Sequence, residues 1–101
     1  MPNIKLNYLY RDASNYKQYG SVVFANTNNI AAKTINNIIK SNLIDGEFFV
    51  AEAWEIPVLY FDNIIDADHN WHEFQNIEVT AEMPYSNLEI ENLLNKILVV
   101  E

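Results

Sequence analysis

The chain has 101 residues, 50% of them hydrophobic and 13% aromatic, with a net charge of −8, a composition typical of one folded domain over residues 1–101. It has no cysteine and two glycines, which excludes disulfides, thiol catalysis, cysteine metal sites and a glycine-rich phosphate loop. No apolar run approaches the roughly 20 residues of a membrane span and no signal peptide precedes the first predicted strand, so we expect a cytoplasmic protein with neither membrane segment nor cofactor.

Alternating side chains near the start of the chain predict an antiparallel hairpin. In residues 3–11 the alternation of a half-buried strand places apolar or aromatic residues on one side (Ile4, Leu6, Tyr8, Tyr10) and polar residues on the other (Lys5, Asn7, Arg11). Turn-forming residues follow, and residues 16–25 return as the second strand. Gly20 indicates a bulge or a close approach by another segment. Helical spacing then predicts a helix from about Asn28 to Asn42, with N-cap candidates at positions 26–28.

The most hydrophobic stretch, residues 44–61, is predicted to be the strand around which the sheet forms. Asp45-Gly46 supplies a turn before it. The apolar residues that follow occupy both alternating sets of positions, which predicts a strand buried on most of both faces. Pro57 interrupts the stretch, and residues 58–61 are an optional further strand.

The last third of the chain predicts a strand and a helix. Residues 62–70 have no sustained period and are interpreted as a loop, whereas residues 72–81 alternate as a strand that ends before Pro84. Ser86 and Glu89 have the spacing of a capping box. An amphipathic helix is predicted after them, with its apolar stripe at Ile90, Leu93, Leu94, Ile97 and Leu98.

The predicted fold class is α+β, in the order ββαβ(β)βα. It has an antiparallel or mixed sheet of four to five strands with two helices packed on one face, because this arrangement buries every apolar stripe. The solvated face of the sheet is predicted to carry Asn7, Arg11, Glu78 and Thr80.

Charge is distributed unevenly along the chain. Residues 1–46 have five cationic and two acidic side chains, and residues 47–101 have twelve acidic side chains and one lysine, giving net charges of +3 and −11. An acidic surface repels nucleic acid and attracts basic protein surfaces, although it also serves solubility alone. The candidate partner-binding residues are Glu52, Glu55, Glu78 and Glu82.

Glu52 has a second possible role. It falls on the same face of the predicted central strand as several apolar residues, so burial there would require a basic partner such as Arg11 or Lys17.

One acidic, histidine-containing run suggests a divalent metal site. Its candidate ligands are Asp66, Asp68, His69, His72 and Glu73. The run matches no established metal motif, and a polar loop anchored by Trp71 explains it equally well. It also contains the chain's only histidines, and no serine nucleophile has a recognisable partner, which favours a non-enzymatic role over a small hydrolase.

The first hairpin interleaves tyrosines with cations. The candidate ligand-binding residues are Tyr8, Tyr10, Arg11, Tyr16 and Lys17. Tyrosine offers a large contact area and arginine a forked set of donors, as in recognition surfaces. The alternative is that these tyrosines are cross-strand packing pairs within the fold.

Three runs resemble a family of small bacterial and phage proteins of unassigned activity. They are YLYRDASNYKQYG (8–20), LIDGEFFVAE (43–52) and HNWHEF (69–74), and the similarity extends over roughly the first three-quarters of the chain. The resemblance implies a shared fold unit in a prokaryotic or viral setting.

Two functional hypotheses follow. The first is a small acidic interaction domain, such as an inhibitor, immunity or accessory protein of a phage or mobile element, that binds a protein partner with a basic surface and does not bind nucleic acid. The alternative is a domain that binds a small ligand or divalent metal through the loop at 66–73 or the hairpin. A homodimer is compatible with the bipolar charge distribution.

Overall fold

The computed structural model describes residues 3–11, 15–59, 71–84 and 88–98. Its elements are β1 (Asn3–Arg11), β2 (Lys17–Phe24), α1 (Ala32–Ser41), β3 (Phe48–Phe49), β4 (His72–Thr80) and α2 (Ile90–Leu98). The strands form one antiparallel sheet in the order β2-β1-β4-β3. The buried residues of both helices join one core with β1, which confirms the predicted α+β class. Neither helix is long and apolar enough to cross a membrane.

The hairpin has the predicted alternation. β1 and β2 pair without a register shift, and the even-numbered side chains of β1 are at most 1% exposed. Gly20 lies opposite Tyr8 in this pairing. A Cβ added at Gly20 would lie 2.7 Å from Leu59 Cδ2, so the predicted close approach is confirmed and a side chain at position 20 would displace Leu59.

The predicted long central strand is wrong. Only Phe48–Phe49 pairs with β4, and the chain then forms a turn in which the Ala53 and Trp54 amides donate to the Val50 carbonyl. Ala51 and Trp54 are buried three residues apart, whereas Glu52 is exposed. That spacing belongs to a helical turn and not to a strand. Because Glu52 is at the surface, burial creates no need for a basic partner.

The segment after this turn crosses the core side of the hairpin. Residues 56–59 have no regular secondary structure, and positions 60 and 61 of the optional strand lie outside the described residues. The Tyr8 hydroxyl donates to the Pro57 carbonyl at 2.7 Å. The Leu59 amide donates to Nε2 of His72 at 3.0 Å. These two hydrogen bonds attach the segment to β1 and β4.

The first helix begins later than predicted. Asn26 is 6% exposed, and its side-chain amide closes a turn. Nδ2 of Asn26 donates to the Ile30 carbonyl, and Oδ1 accepts from the Ile30 backbone amide. The N-cap is Ala31, which makes no side-chain cap hydrogen bond, so the predicted caps at 26–28 are wrong. Asparagine side chains compete with helices by bonding nearby backbone in this way.

The last helix has the predicted buried stripe at Ile90, Leu93, Leu94 and Ile97, but Leu98 is 57% exposed. Its first turn is attached to the end of β2, because the Ile90 amide donates to the Ala25 carbonyl at 2.9 Å. The carboxylate of Glu89 accepts hydrogen bonds from the amide and hydroxyl of Thr27. Ser86 of the predicted capping box lies outside the described residues.

Candidate interaction surface

The face of the sheet away from the helices is called the open face below. The residues that register places on it are Asn3, Lys5, Asn7, Leu9, Arg11, Lys17, Tyr19, Ser21, Val23, Phe48, Glu73, Asn76, Glu78 and Thr80. The four residues predicted for the solvated face, Asn7, Arg11, Glu78 and Thr80, are all among them.

One end of the open face is a polar network. Nδ2 of Asn7 donates to Oδ1 of Asn76 at 2.8 Å and to Oε2 of Glu78 at 2.6 Å. Beyond them, Nζ of Lys5 lies 3.0 Å from Oε2 of Glu82. These pairs connect β1 to β4 and to the segment that follows it.

At the other end, Arg11 and Glu73 form a two-pronged ion pair. Nε and one terminal nitrogen of Arg11 lie 2.7 and 3.1 Å from the two carboxylate oxygens of Glu73, and the other terminal nitrogen donates to Asn15. The hydrogen bond that Arg11 donates to Glu73 is the main cause that raises the pKa of Arg11; burial opposes it, and the charges of Glu73, Tyr19 and Glu47 each raise this pKa by less. A forked pair of this kind fixes the guanidinium plane.

Aromatic side chains lie around this ion pair. Tyr19 is 60% exposed and lies across the hairpin from Leu9, which is buried. Phe48 and Trp71 stack with ring centroids 5.3 Å apart and planes 28° apart, and Phe48 pairs with Glu73. We call Arg11, Tyr19, Phe48, Trp71 and Glu73 the aromatic cluster.

A β-bulge assembles the aromatic cluster. Asn7 pairs with Asn76 whereas the next residue, Tyr8, pairs with Phe74, so Gln75 is an extra residue in β4. An extra residue shifts the alternation by one position. Glu73 therefore faces the same side as Asn76, although uninterrupted alternation would put them on opposite faces. Sequence reasoning placed neither Glu73, Phe48 nor Trp71 on this surface, and no local signal marked the bulge.

The structure divides the five hairpin residues predicted to bind a ligand. Tyr8 and Tyr10 are 1% and 0% exposed in the core. Arg11 and Lys17 pair across the hairpin on the open face, and Tyr16 is 70% exposed where β2 begins. By register, therefore, Tyr8 and Tyr10 share the core face, and only Arg11 and Lys17 of the five are placed on the open face.

The four predicted partner-binding glutamates lie in two regions. Glu52 and Glu55 are exposed in the turn after β3, where Oε1 of Glu55 lies 3.5 Å from Nζ of Lys96. Glu78 and Glu82 lie at the polar end of the open face, in the contacts with Asn7 and Lys5 described above.

The ion pair at the polar end predicts a measurable titration. The hydrogen bond and charge of Lys5 lower the pKa of Glu82 below its ordinary value of 4.5. A depressed carboxyl pKa stabilises the folded state above the unfolded-state pKa, and this stabilisation disappears as the pH falls through the folded-state pKa. We expect NMR to show Glu82 titrating below 4.5, and Lys5→Met to raise its midpoint. An unchanged midpoint in that variant would contradict the assigned cause.

The predicted metal ligands are only partly described. Asp66, Asp68 and His69 lie outside the described residues. His72 faces the core at 0% exposure, opposite Phe49 and Tyr10, whereas Glu73 faces the open side. The structure thus places these two candidates on opposite faces of β4.

Within the described ranges, no three histidine, aspartate or glutamate side chains are grouped as metal ligands would be, and no pocket is present. No protein-family model and no curated protein matches the sequence, and no solved structure matches the fold.

Proposed function

We propose that this chain is an acidic protein-interaction domain that binds a partner through the open face. The observation that carries the proposal is the aromatic cluster, which presents exposed Tyr19 and the Phe48–Trp71 stack beside Arg11, which is ion-paired with Glu73. Tyrosine, tryptophan and arginine are the residue types that dominate binding energy in protein interfaces.

The geometry of the cluster favours binding because little order has to be created. The carboxylate of Glu73 already fixes Arg11, and two paired strands position Tyr19 over Leu9. Side chains that are already ordered lose less conformational entropy when a partner covers them. The cluster therefore forms a contact area that ion pairing and strand pairing already position.

Charge supports a partner with a basic surface. The chain carries a net charge of −8, and Glu47, next to Phe48 in the chain, is exposed and close enough to Arg11 to raise its pKa. Complementary charge accelerates association and makes it depend on salt. Association with such a partner should therefore slow as ionic strength rises.

Tyr19→Ala is expected to weaken partner binding by about tenfold or more, because it removes the most exposed aromatic side chain of the cluster. A partner captured with the wild-type chain would be purified, and its Kd measured by calorimetry against each variant. Tyr16→Ala is the matched control, since it removes a tyrosine that is 70% exposed and is not a member of the cluster.

The two tyrosine variants give opposite predictions. The proposed open-face interface requires a large loss for Tyr19→Ala and a Kd within about twofold of wild type for Tyr16→Ala. Equal affinity of wild type and Tyr19→Ala would show that the partner binds elsewhere, provided that both variants melt at the wild-type temperature.

A further inference from the structure

β4 has an edge that β3 covers only at one end. β3 pairs with His72 and Glu73, and one more hydrogen bond joins the Phe74 amide to the Glu47 carbonyl. Along residues 76–80 no strand in the described part of the chain pairs with that side of β4. An uncovered edge presents backbone donors and acceptors that another strand can use.

Side chains along this edge are sorted by face. Ile77 and Val79 face the helix side, across from Leu6 and Ile4, and Val79 remains 58% exposed. Glu78 faces the open side and is exposed, as is Glu82 just beyond the strand. The edge therefore offers an apolar strip on one face and carboxylates on the other.

We propose that the partner adds an extended segment of alternating basic and apolar residues to the edge of β4 at residues 76–80. Its apolar side chains pack on Ile77 and Val79, and its basic side chains face Glu78 and Glu82. This inference rests on the proposed function and specifies the partner's chemistry. Glu78 and Glu82 already accept hydrogen bonds from Asn7 and Lys5, respectively. Because a carboxylate has about four acceptor sites, both can still accept hydrogen bonds from the partner's basic side chains.

A second copy of the chain fits this edge poorly. Antiparallel pairing of the same edge in two copies would bring Glu78 and Glu82 of each copy toward those of the other, and each chain has a net charge of −8. Like charges placed opposite one another on adjacent strands are destabilising. A basic segment would instead be attracted to these carboxylates. The charge of the edge therefore favours a different protein over a second copy of this chain.

The test uses a capped heptapeptide of alternating lysine and valine as the probe. Added to the intact chain, it is expected to slow amide hydrogen exchange at residues 76–80 by about tenfold. Glu78→Gln should weaken its Kd by about fivefold, because it removes the charge and keeps the acceptor for Asn7. Glu52→Gln, which removes a charge from the exposed turn after β3, is the matched control and should leave the Kd unchanged.

The alternative outcomes separate this inference from the proposed function. Unchanged exchange at residues 76–80 in saturating peptide would overturn strand addition, and so would an equal loss of affinity in both glutamine variants. If amide exchange at residues 76–80 slows without peptide as the chain concentration rises, the edge binds a second copy of the chain instead. Peptide-induced shifts confined to Tyr19 and Trp71 would support the open face and overturn the edge site. The proposed function is tested separately, by the effect of Tyr19→Ala on the Kd of the captured partner.

Discussion

Replacing His72 with alanine is expected to lower the free energy of unfolding by about 3 kcal/mol. The imidazole is 0% exposed and packs against Tyr8, Tyr10 and Phe49, with ring centroids 5.2 to 5.9 Å away. Its Nε2 accepts the Leu59 amide hydrogen bond at 3.0 Å. Alanine would leave both a cavity between three aromatic rings and an amide that has lost its acceptor.

Urea denaturation followed by circular dichroism measures this loss for His72→Ala. Gln18→Ala is the control, because Gln18 is a polar residue of the same sheet that is exposed, and such changes stay within about 0.5 kcal/mol. Hydrogen exchange at the Leu59 amide should also accelerate in the histidine variant. A loss below about 1 kcal/mol would contradict the role assigned to the imidazole, since a single lost hydrogen bond already costs that much.

Trp54→Ala is expected to lower the free energy of unfolding by about 4 kcal/mol, in the range typical for loss of a buried tryptophan. Trp54 is 8% exposed and stacks on Phe49 with ring centroids 4.1 Å apart and planes 12° apart. The stack joins the turn after β3 to the core. Without it the turn loses this stacked contact with β3.

The same denaturation experiment tests Trp54 against two other variants. Trp54→Phe keeps an aromatic ring over Phe49 and should cost about 1.5 kcal/mol. Ala53→Ser changes an exposed neighbour of Trp54, and its free energy of unfolding should stay within about 0.5 kcal/mol of the wild-type value. Equal stability of Trp54→Ala and wild type would contradict the turn geometry and would restore the possibility of a strand at residues 50–54.

Elements with a strong local period could be predicted from the sequence. Residues 3–11 alternate at every position except Leu9, and the structure gives β1 the same limits. Residues 90–97 repeat at helical spacing and form α2. Both patterns report one buried face of a regular element, so no information from distant residues is needed to recognise them.

The stretch after Phe49 could not be assigned in the same way because it is apolar at nearly every position. A continuous apolar run fits a strand buried on both faces and a buried helical turn equally well. The two are told apart by the repeat of apolar positions along the sequence, and this run has no such repeat. The exposed pair Glu52 and Glu55, three residues apart, was the available signal for a turn. Tertiary packing of Trp54 on Phe49 settles the choice.

The aromatic cluster also lay beyond sequence reasoning, for a different physical reason. Arg11 and Glu73 are 62 residues apart in the chain, and they meet only because β1 and β4 are neighbours with one extra residue at Gln75. Strand order and register are non-local properties, and a shift of one residue reverses the face of every side chain beyond it. Arg11 was predicted to be solvated, and the carboxylate that the sequence suggested for it was Glu52 and not Glu73.

The measurement that tests the open face most directly is hydroxyl-radical footprinting of the chain alone and in complex with its purified partner. Binding through the open face predicts reduced oxidation of Tyr19, Phe48 and Trp71 in the complex, because these side chains belong to the aromatic cluster. Tyr16 and Leu98, which are 70% and 57% exposed and are not members of the cluster, should keep their reactivity. Protection of Tyr16 or Leu98 while Tyr19 and Trp71 react as in the free chain would contradict the account.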